Sequence, residues 1–468
     1  MASLDDPCLV KDVRALGADL RGGRISARAL AESFLDRVDR LDGRLHSFAH
    51  PLRDRAREDA ARADRELAAG FDRGPLHGIP IAVKDLIDIG GEPTLAGMPC
   101  RAGHVAVRDA TIVERLRGAG AIILGKLAMT EGATILHHPD VAVPDNPWRT
   151  GYSSGFSSSG SGVAVAASLC VAALGSDTGG SVRIPSAFNG ITGLKTTWGR
   201  VSRDGVWPLV ESLDTIGPMA RSAVDVAAMI GAIAGPDPRD PTAAPARVPD
   251  YAGGLAQPVS GMTIGVDWER IERDSDAAIV SALRHVAETL AAAGARIRTI
   301  STPVGQTAAF SPLLTAGVAD AHRDSYPAHA SAYGPGLAAM LDGAPETTAR
   351  DVAAAINAAD RFTGEMNALF GEIDLLLAPA LPHPARPVAE LDAAMAAGGE
   401  EFERFFAWTL PFNVSRHPTI TFPAGFSDDG LPCGAQLVGR HFAEAVLLRA
   451  AHRFQTMTDW HTRRPPLE

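Results

Sequence analysis

Two patterns of hydrophobic and polar positions alternate along the chain from residue 79 onward. Apolar runs of four to six residues, bounded by glycine, proline or aspartate, predict β-strands, and longer stretches predict helices. The predicted strands lie at 79–83, 121–125, 171–175, 262–266, 296–300, 374–379 and 419–423. The predicted helices in this part lie at 110–118, 161–170, 220–233, 276–293, 349–370 and 443–456. This alternation is typical of an α/β protein with a mixed central β-sheet covered on both faces by α-helices.

The first 70 residues show a helical pattern instead. Leu30, Phe34, Val38 and Leu41 recur on one face of a helix within 11–42, and their polar neighbours occupy the rest of its surface. A charge-rich stretch at 54–69 predicts a further helix with a solvated face. We expect these N-terminal helices, within residues 1–70, to form an outer wall.

Two later stretches lack strong patterns. Residues 234–260 are rich in proline, glycine and aspartate and predict a long surface connection. Residues 301–400 carry few recognisable motifs, and we expect this variable part, about 300–400, to build the wall of a substrate site. A chain of 468 residues could form two or three domains, but large α/β enzymes of this size often keep one continuous core, so we predict a single domain over residues 1–468.

The densest cluster of small and polar residues lies between residues 151 and 197. A serine-rich loop and an apolar run lead to a second glycine turn, Asp177-Thr178-Gly179-Gly180-Ser181. Consecutive glycines allow positive φ and let successive backbone N–H groups converge on one point, as in an oxyanion hole. The pattern therefore places a hydroxyl nucleophile, Ser181, beside the N–H groups of Thr178, Gly179, Gly180 and Ser181.

A serine nucleophile needs a base, and lysine usage offers one. Only four of the 44 basic residues are lysine, namely Lys11, Lys84, Lys126 and Lys195. Arginine stays protonated in proteins, whereas a lysine in apolar surroundings has a lowered pKa and can act as a general base. Lys84 ends the apolar run that begins at Ile79, a position that suits a desolvated amine.

Several ordered motifs resemble the amidase signature family. They are HGIPIAVKD around Lys84, the serine-rich loop at Ser157, LGSDTGGSVRIPSAFNG around Ser181, and GLKTTWGRVSRDG after it. Further similar segments bring the resemblance to most of the chain, from about residue 76 to residue 440, with the signature core at 76–200. The resemblance implies the amidase signature fold and a Ser-cis-Ser-Lys triad: Ser181 as nucleophile, Ser157 as relay serine with a cis peptide bond, and Lys84 as base.

The chain departs from the family pattern at three positions. Phe156 and Ser159 stand where glycines are usual in the serine-rich loop, and Thr196 stands where a proline is usual. We expect the first two to reshape the floor of the pocket.

Other polar residues near these motifs receive supporting roles. Asp177 and Arg183, six residues apart across the glycine turn, are expected to pair and brace the loop, and Ser158 is assigned with them to bracing the site. His77 is an alternative base, although the resemblance implies no catalytic histidine. Lys126 follows a glycine-containing run like a phosphate loop, but Leu127 replaces the hydroxyl that would bind magnesium, so we predict a structural role for Lys126.

Composition and charge restrict the kinds of binding partner and cofactor that we expect. The formal net charge is −11 and no basic block is interleaved with aromatic residues, which disfavours direct nucleic-acid binding. The four cysteines lie far apart without histidine neighbours, so neither a disulfide framework, nor a metal site, nor any cofactor is predicted. The acidic N-terminus and the longest apolar run, 163–174, predict neither a secretion signal nor a membrane span. We predict a cytoplasmic enzyme that takes a small-molecule amide, with a homodimer as a possible assembly.

Three functional hypotheses compete. The favoured one is an amidase acting on a small-molecule amide, or on a related carbamate, urea or ester. The second is the amidase-like component of a glutamyl-tRNA amidotransferase, its A subunit, which releases ammonia from glutamine; the segments WGRVSRDG and SLDTIGPMARS also resemble it. The third is a catalytically silent scaffold, and the presence of Lys84, Ser157 and Ser181 counts against it.

Overall fold

The computed structural model describes residues 7–304 and 307–467, and the strands within this part form one mixed sheet. The strands are β1 Phe48–Pro51, β2 Pro80–Lys84, β3 Ile122–Leu127, β4 Ala172–Asp177, β5 Thr192–Lys195, β6 Thr215–Ala220, β7 Thr263–Val266, β8 Arg296–Thr299, β9 Leu375–Pro379, β10 Thr419–Phe426 and β11 Pro432–Gly439. Their order across the sheet is β1-β3-β2-β4-β6-β5-β10-β11-β9-β7-β8. Strands from the two halves of the chain therefore lie side by side where β5 meets β10.

Helices connect and cover these strands. They are α1 Val13–Arg21, α2 Ala27–Leu45, α3 Arg53–Ala68, α4 Thr111–Gly118, α5 Ser159–Ala166, α6 Arg183–Asn189, α7 Ala223–Ile233, α8 Tyr251–Gly254, α9 Trp268–Asp274, α10 Ala277–Ala292, α11 Thr307–Ala321, α12 Pro335–Gly343, α13 Ala349–Glu372, α14 Val388–Ala397, α15 Gly399–Phe406, α16 Leu410–Val414 and α17 Glu444–Met457. The predicted α/β class, a mixed sheet flanked by helices, is confirmed. None of the described helices combines the length and apolar character that a membrane span requires.

The hydrophobic pattern explains most of these elements. In α2, Ser26 caps the N-terminus by accepting a hydrogen bond from Ala29 N, and the predicted stripe of Leu30, Phe34 and Val38 is buried. Strand β2 is buried on both faces and lies between the parallel strands β3 and β4, so its sequence is continuously apolar rather than alternating. All seven predicted strands are present, within a few residues of the expected bounds.

The prediction for residues 234–260 was wrong in one respect, because part of this connection is anchored inside the protein. Asp237 and Asp240 are each only 7% exposed. Ser202 Oγ donates to Asp237 Oδ2 at 2.6 Å, and Arg203 N donates to Asp240 Oδ2 at 2.8 Å. A carboxylate can be buried when it accepts hydrogen bonds from backbone N–H groups and hydroxyls. The composition of the segment does not reveal these donors, because they lie elsewhere in the chain.

Candidate active site

Lys84 ends β2, the third of the eleven strands across the sheet. Its side chain is fully buried. Nζ lies 2.6 Å from Ser157 Oγ and 2.8 Å from Ser176 Oγ. Ser176 is near the C-terminal end of β4, and the carboxyl ends of neighbouring parallel strands meet at the same edge of a sheet. The structure thus brings together Lys84 and Ser157, two residues selected from the sequence, and adds Ser176.

Burial controls the charge of the lysine. Removal from water lowers the pKa of Lys84 well below its ordinary value, because the charged ammonium is the form that loses hydration. The carboxylates of Asp214 and Asp177 act in the opposite direction without reversing the shift. The Lys84 amine is therefore suited to accept a proton.

The serine-rich loop carries Ser157 and Ser158 to this amine. Ser158 Oγ donates to the carbonyl of Ser176 at 3.2 Å and accepts from its N–H at 3.3 Å, which fixes the loop against the end of β4. The cis peptide bond expected at Ser157 is not present: among the described residues, Tyr326–Pro327 is the single cis peptide. A trans bond is favoured by about 3 kcal/mol for residues other than proline, and the trans loop already brings Ser157 Oγ to Lys84.

The two unusual residues of this loop have defined contacts. The ring of Phe156 packs on Phe405 and Phe406, with centroid distances of 5.5 and 5.8 Å. Ser159 Oγ lies 3.4 Å from Nε2 of the partly buried His137. A glycine at either position would lack these contacts. The side chains of Phe156 and Ser159 therefore help to fix the loop.

Ser181 lies on the turn between β4 and α6. Ser181 is 9% exposed and lines a cavity. The preceding Gly180 has a φ of 131°, and a Cβ on it would stand 2.7 Å from Ile184 Cδ1. Only glycine fits such a position, which explains the glycine before the serine.

The predicted pair of Asp177 and Arg183 is present and fully buried. Arg183 donates through Nη2 to Asp177 Oδ1 at 2.8 Å and through Nε to Oδ2 at 3.0 Å, which is a bidentate arrangement. Asn413 Nδ2 also donates to Asp177 Oδ1 at 2.7 Å, and Arg183 Nη1 donates to the carbonyl of Thr409 at 2.8 Å. The turn that carries Ser181 is thus joined to residues around α16, more than 200 positions away.

The carboxylate of Asp177 accepts a hydrogen bond from one of the backbone N–H groups predicted for the oxyanion hole. The N–H of Gly180 donates to Asp177 Oδ1 at 2.9 Å, so the structure contradicts its assignment as a free donor. A buried carboxylate must be fully hydrogen-bonded, and the nearest amide serves that need. The N–H groups of Thr178, Gly179 and Ser181 have no partner within the described part of the chain.

Sequence reasoning missed two residues at the site, Ser176 and Asp214. Thr178 Oγ1 donates to Asp214 Oδ1 at 2.5 Å, and the N–H groups of Leu209 and Val210 donate to the same carboxylate. A polar residue at the end of an otherwise apolar run was the available signal for Ser176. No local pattern marks Asp214, because its partners lie in other segments.

Two residues weighed from the sequence lie in other surroundings. His77 precedes the N-terminal end of β2, whereas Lys84 lies at the C-terminal end of that strand. The Nε2 atom of His77 lies 3.0 Å from Glu66 Oε2. Lys126 Nζ lies 3.1 Å from Asp85 Oδ1 and donates to Thr94 Oγ1 at 2.8 Å. Lys126 thus forms a buried contact with Asp85 away from Ser157, in agreement with the structural role predicted for it.

A cavity of about 230 Å³ opens in front of Ser181. Residues 301–400 supply part of its wall through Phe310, Leu314, Gly336 and Met340. The serine-rich loop contributes Phe156, and the rest of the lining comes from both halves of the chain. The variable part of the sequence and the glycine turn with Ser181 therefore face the same space.

Comparison with known proteins identifies the chain's relatives. The model of the Amidase family matches residues 29–448. The chain belongs to the Amidase family. This amidase is 41% identical over 467 residues to the "Putative amidase AmiD" of Mycobacterium tuberculosis, covering 99% of this chain and 98% of that protein.

Other relatives of the amidase differ in their described activities. It is 36% identical to the A subunit of the glutamyl-tRNA(Gln) amidotransferase of Chloroflexus aurantiacus, covering 97% of this chain and 98% of that one. A solved structure of 6-aminohexanoate cyclic dimer hydrolase is similar with a TM-score of 0.89 and 28% identity, covering 98% of this chain and 99% of that one. The family and its structural neighbours support an enzyme that acts on amides.

The buried ion pair of this amidase makes a prediction about stability. Replacing Asp177 with asparagine leaves the buried Arg183 guanidinium without its counter-charge, so we expect the free energy of unfolding to fall by about 3–5 kcal/mol. Urea unfolding followed by circular dichroism measures this change. As a control, Glu372→Gln breaks the exposed pair with Arg298 and should cost less than about 1 kcal/mol. Equal effects of both changes would contradict the bracing role.

The pH dependence of that difference has a definite sign. Burial alone would raise the pKa of Asp177, but the charges of Arg183 and Lys195 outweigh burial and hold its pKa well below the ordinary range. A depressed pKa in the folded state stabilises the protein above the unfolded value of about 3.9, and this contribution is lost as the pH falls below it. The stability advantage of wild type over Asp177→Asn should therefore shrink only below about pH 4.

Proposed function

We propose that this amidase hydrolyses a small-molecule amide, or a related carbamate, urea or ester, through an acyl-enzyme on Ser181, with Ser157 as relay and Lys84 as base. The observation that carries the proposal is the buried amine of Lys84 lying 2.6 Å from the Ser157 hydroxyl. Burial lowers the pKa of the Lys84 amine, and such an amine next to a hydroxyl can draw a proton toward itself. The Ser181 turn, fixed by Asp177 and Arg183, supplies the nucleophile.

The first half of the reaction forms the acyl-enzyme. The Lys84 amine accepts the proton of Ser157, and Ser157 Oγ accepts the proton of Ser181 as Ser181 Oγ attacks the carbonyl carbon. The N–H groups of Thr178, Gly179 and Ser181 stabilise the negative charge on the carbonyl oxygen. The carbon–nitrogen bond then breaks, and the nitrogen leaves with the proton returned from Lys84 through Ser157.

The second half of the reaction frees the acid. Water gives a proton to the same Ser157–Lys84 relay and attacks the acyl ester, and collapse of the intermediate returns the proton to Ser181 Oγ. The backbone donors stabilise this second oxyanion as they did the first. Ser176 lies 2.8 Å from Lys84 Nζ and can accept one of its N–H groups, which would direct the nitrogen lone pair toward Ser157.

The second candidate, release of ammonia from glutamine, is supported by the similarity to the glutamyl-tRNA(Gln) amidotransferase. The cavity at Ser181 argues against it. None of the described residues that line it carries a charged side chain, whereas glutamine brings an ammonium and a carboxylate that need partners. Ammonia release from glutamine, measured on the purified chain alone and beside a panel of neutral amides, separates the two functions.

Chemical labelling tests the acyl-enzyme directly. We expect phenylmethanesulfonyl fluoride, which transfers its sulfonyl group to activated serines, to modify Ser181 and to abolish amide turnover in proportion. Mass spectrometry of the digested protein locates the adduct. Modification of another serine while Ser181 remains free would contradict the proposal.

A further inference from the structure

Two cavities meet at the turn that carries Ser181, and their linings differ in character. The cavity in front of Ser181 is almost entirely apolar. The second cavity, about 300 Å³, is lined by four carboxylates and two arginines as well as Ser176. Ala133, Thr178 and Leu209 line both, so a substrate carbonyl at Ser181 would have an apolar space on one side and a polar space on the other.

The proton path decides which part of a substrate enters which cavity. The leaving nitrogen receives its proton from Lys84 through Ser157, so it must face the side where the lysine is held. Ser176, which lies 2.8 Å from Lys84 Nζ, lines the polar cavity, and so does Asp214. An amine that leaves and becomes cationic is stabilised by carboxylates and by water. The polar cavity therefore suits the amine, which leaves the apolar cavity for the acyl group.

The lining of the apolar cavity excludes charge. Its polar members are Thr134, Thr178 and Ser181, and no ionisable side chain of the described residues lines it. An acyl group with a carboxylate or ammonium would lose hydration there without gaining a partner. Aromatic and aliphatic side chains form the rest, with Phe156, Phe310, Phe402 and Phe406 among them.

The size of the cavity indicates which acyl groups it can enclose. An apolar protein cavity of about 150 Å³ holds a benzene molecule. The space in front of Ser181, about 230 Å³, has room to enclose one ring with a short linker.

Phe156 connects this cavity to the serine-rich loop. It precedes Ser157 directly, is 4% exposed, and packs on Phe405 and Phe406 at the end of α15. Phe402, one turn earlier in α15, contacts Phe406 with a centroid distance of 4.8 Å. The serine-rich loop and the aromatic wall are thus one packed unit.

We propose that the apolar cavity binds the acyl group of a neutral amide that carries a single aromatic ring or a compact branched alkyl group, and that Phe156 is a specificity-determining residue. This inference rests on the proposed acyl-enzyme at Ser181. Phenylacetamide represents the favoured class. Three other amides serve for comparison. Acetamide lacks the ring, succinamate carries a charge on its acyl group, and acetanilide has its ring on the leaving amine.

Turnover of these four amides tests the assignment. We expect kcat/KM for phenylacetamide to exceed that for acetamide by at least ~10²-fold, since burying a ring is worth about as much as several methylenes. Succinamate and acetanilide should both fall at least ~10-fold below phenylacetamide. A preference for succinamate would overturn the neutral class, and a preference for acetanilide would place the ring on the amine side instead.

Sulfonyl labelling separates failure of this inference from failure of the proposed function. Phenylmethanesulfonyl fluoride leaves a large group on Ser181, and methanesulfonyl fluoride leaves a small one. To correct for the intrinsic reactivity of each reagent, its rate of Ser181 labelling is divided by its rate of hydrolysis by hydroxide. We expect the normalised ratio to favour the ring by at least ~10-fold. Equal normalised labelling of Ser181 would overturn the pocket and leave the nucleophile standing, whereas no labelling of Ser181 by either reagent would overturn both.

Variants of Phe156 test its part. Phe156→Ala should lower the phenylacetamide-to-acetamide ratio by at least ~10-fold, because it removes most of one face of the ring-binding wall. Phe156→Leu keeps an apolar side chain if the alanine variant does not fold, and should lower the ratio less. Phe71→Ala removes a 54% exposed ring and should leave the ratio unchanged. An unchanged ratio in folded Phe156→Leu and Phe156→Ala would overturn the role of Phe156.

Discussion

Loss of the Ser181 hydroxyl is expected to lower amide turnover by on the order of 10⁴-fold or more, the largest effect of any single change in this enzyme. In Ser181→Ala the proposed base Lys84, the proposed relay Ser157 and the cavity remain, but no hydroxyl is left at position 181 to form the proposed acyl bond. The residual rate would come from binding and the backbone donors alone. Steady-state release of ammonia from phenylacetamide, with purified protein and a long incubation, measures the change.

The serine-rich loop leads into a helix that supplies a matched control for that experiment. Ser161 in α5 is buried like Ser181, and its hydroxyl donates only to the carbonyl of Leu174 at 3.1 Å. Ser161→Ala should therefore cost some stability and retain turnover within about a factor of ten, since a neutral hydrogen bond contributes about 1 kcal/mol. If Ser181→Ala kept wild-type turnover, another residue would have to be the nucleophile.

Replacement of Lys84 by arginine is expected to lower amide turnover by at least ~10²-fold, the low end of what a positioned general base contributes. Arginine keeps the positive charge and nearly the reach of lysine, but its guanidinium stays protonated at any workable pH. Lys84→Ala, which adds no bulk to the buried position, should be similarly impaired. Thermal unfolding of each variant shows whether the loss is catalytic or structural.

The same substitution one strand away is the control for Lys84→Arg. Lys126 in β3 is also a buried lysine, but its Nζ pairs with Asp85 rather than with a serine. Lys126→Arg preserves that ion pair and, in folded protein, should retain turnover. Comparable losses in both variants would mean that Lys84 acts as a buried cation only.

The pH profile gives a second measure of the base. Burial lowers the pKa of Lys84, so wild-type kcat/KM should rise as the free enzyme's amine loses its proton, at a pH well below the ordinary lysine value. This ascending limb should be absent in Lys84→Arg, whose residual activity has no titrating amine. A limb that persists unchanged in that variant would assign the titration to another group.

The strands that sequence patterns could predict are those whose composition agrees with their place in the sheet. Six of the seven predicted runs are largely apolar and lie inside the sheet, and the seventh, β8 at one edge, alternates arginine with other residues. Strands β1, β5, β6 and β11 were not predicted because glycine, proline and polar residues interrupt them, as in β6, whose sequence is TIGPMA. Proline and glycine argue against a strand locally, and in β6 pairing with neighbours on both sides overrides that preference.

The site shows the same limit. Lys84 could be found because arginine has replaced lysine almost everywhere else, and Ser181 because glycines precede it. Asp214 and Asn413 could not be found, since each acts through a contact between segments far apart in sequence. For Ser176, which contacts Lys84, the one local signal was its place as a polar residue at the end of an apolar run. The trans bond at Ser157 and the engaged N–H of Gly180 likewise depend on the folded loop rather than on the motif that carries it.

The hydrogen bond between Asn413 and Asp177 has a consequence for synthesis of the chain on the ribosome. Lys84, Ser157 and Ser181 all emerge in the first 181 residues, but the carboxamide that completes the brace of their turn is made more than 200 residues later. Strand β5 likewise cannot form its pairing with β10 until residues 419–426 have been synthesised. Because chains fold from their N-terminus as they emerge, a nascent amidase holds these three side chains long before it can align them. Activity should therefore begin only when nearly the whole polypeptide has been released.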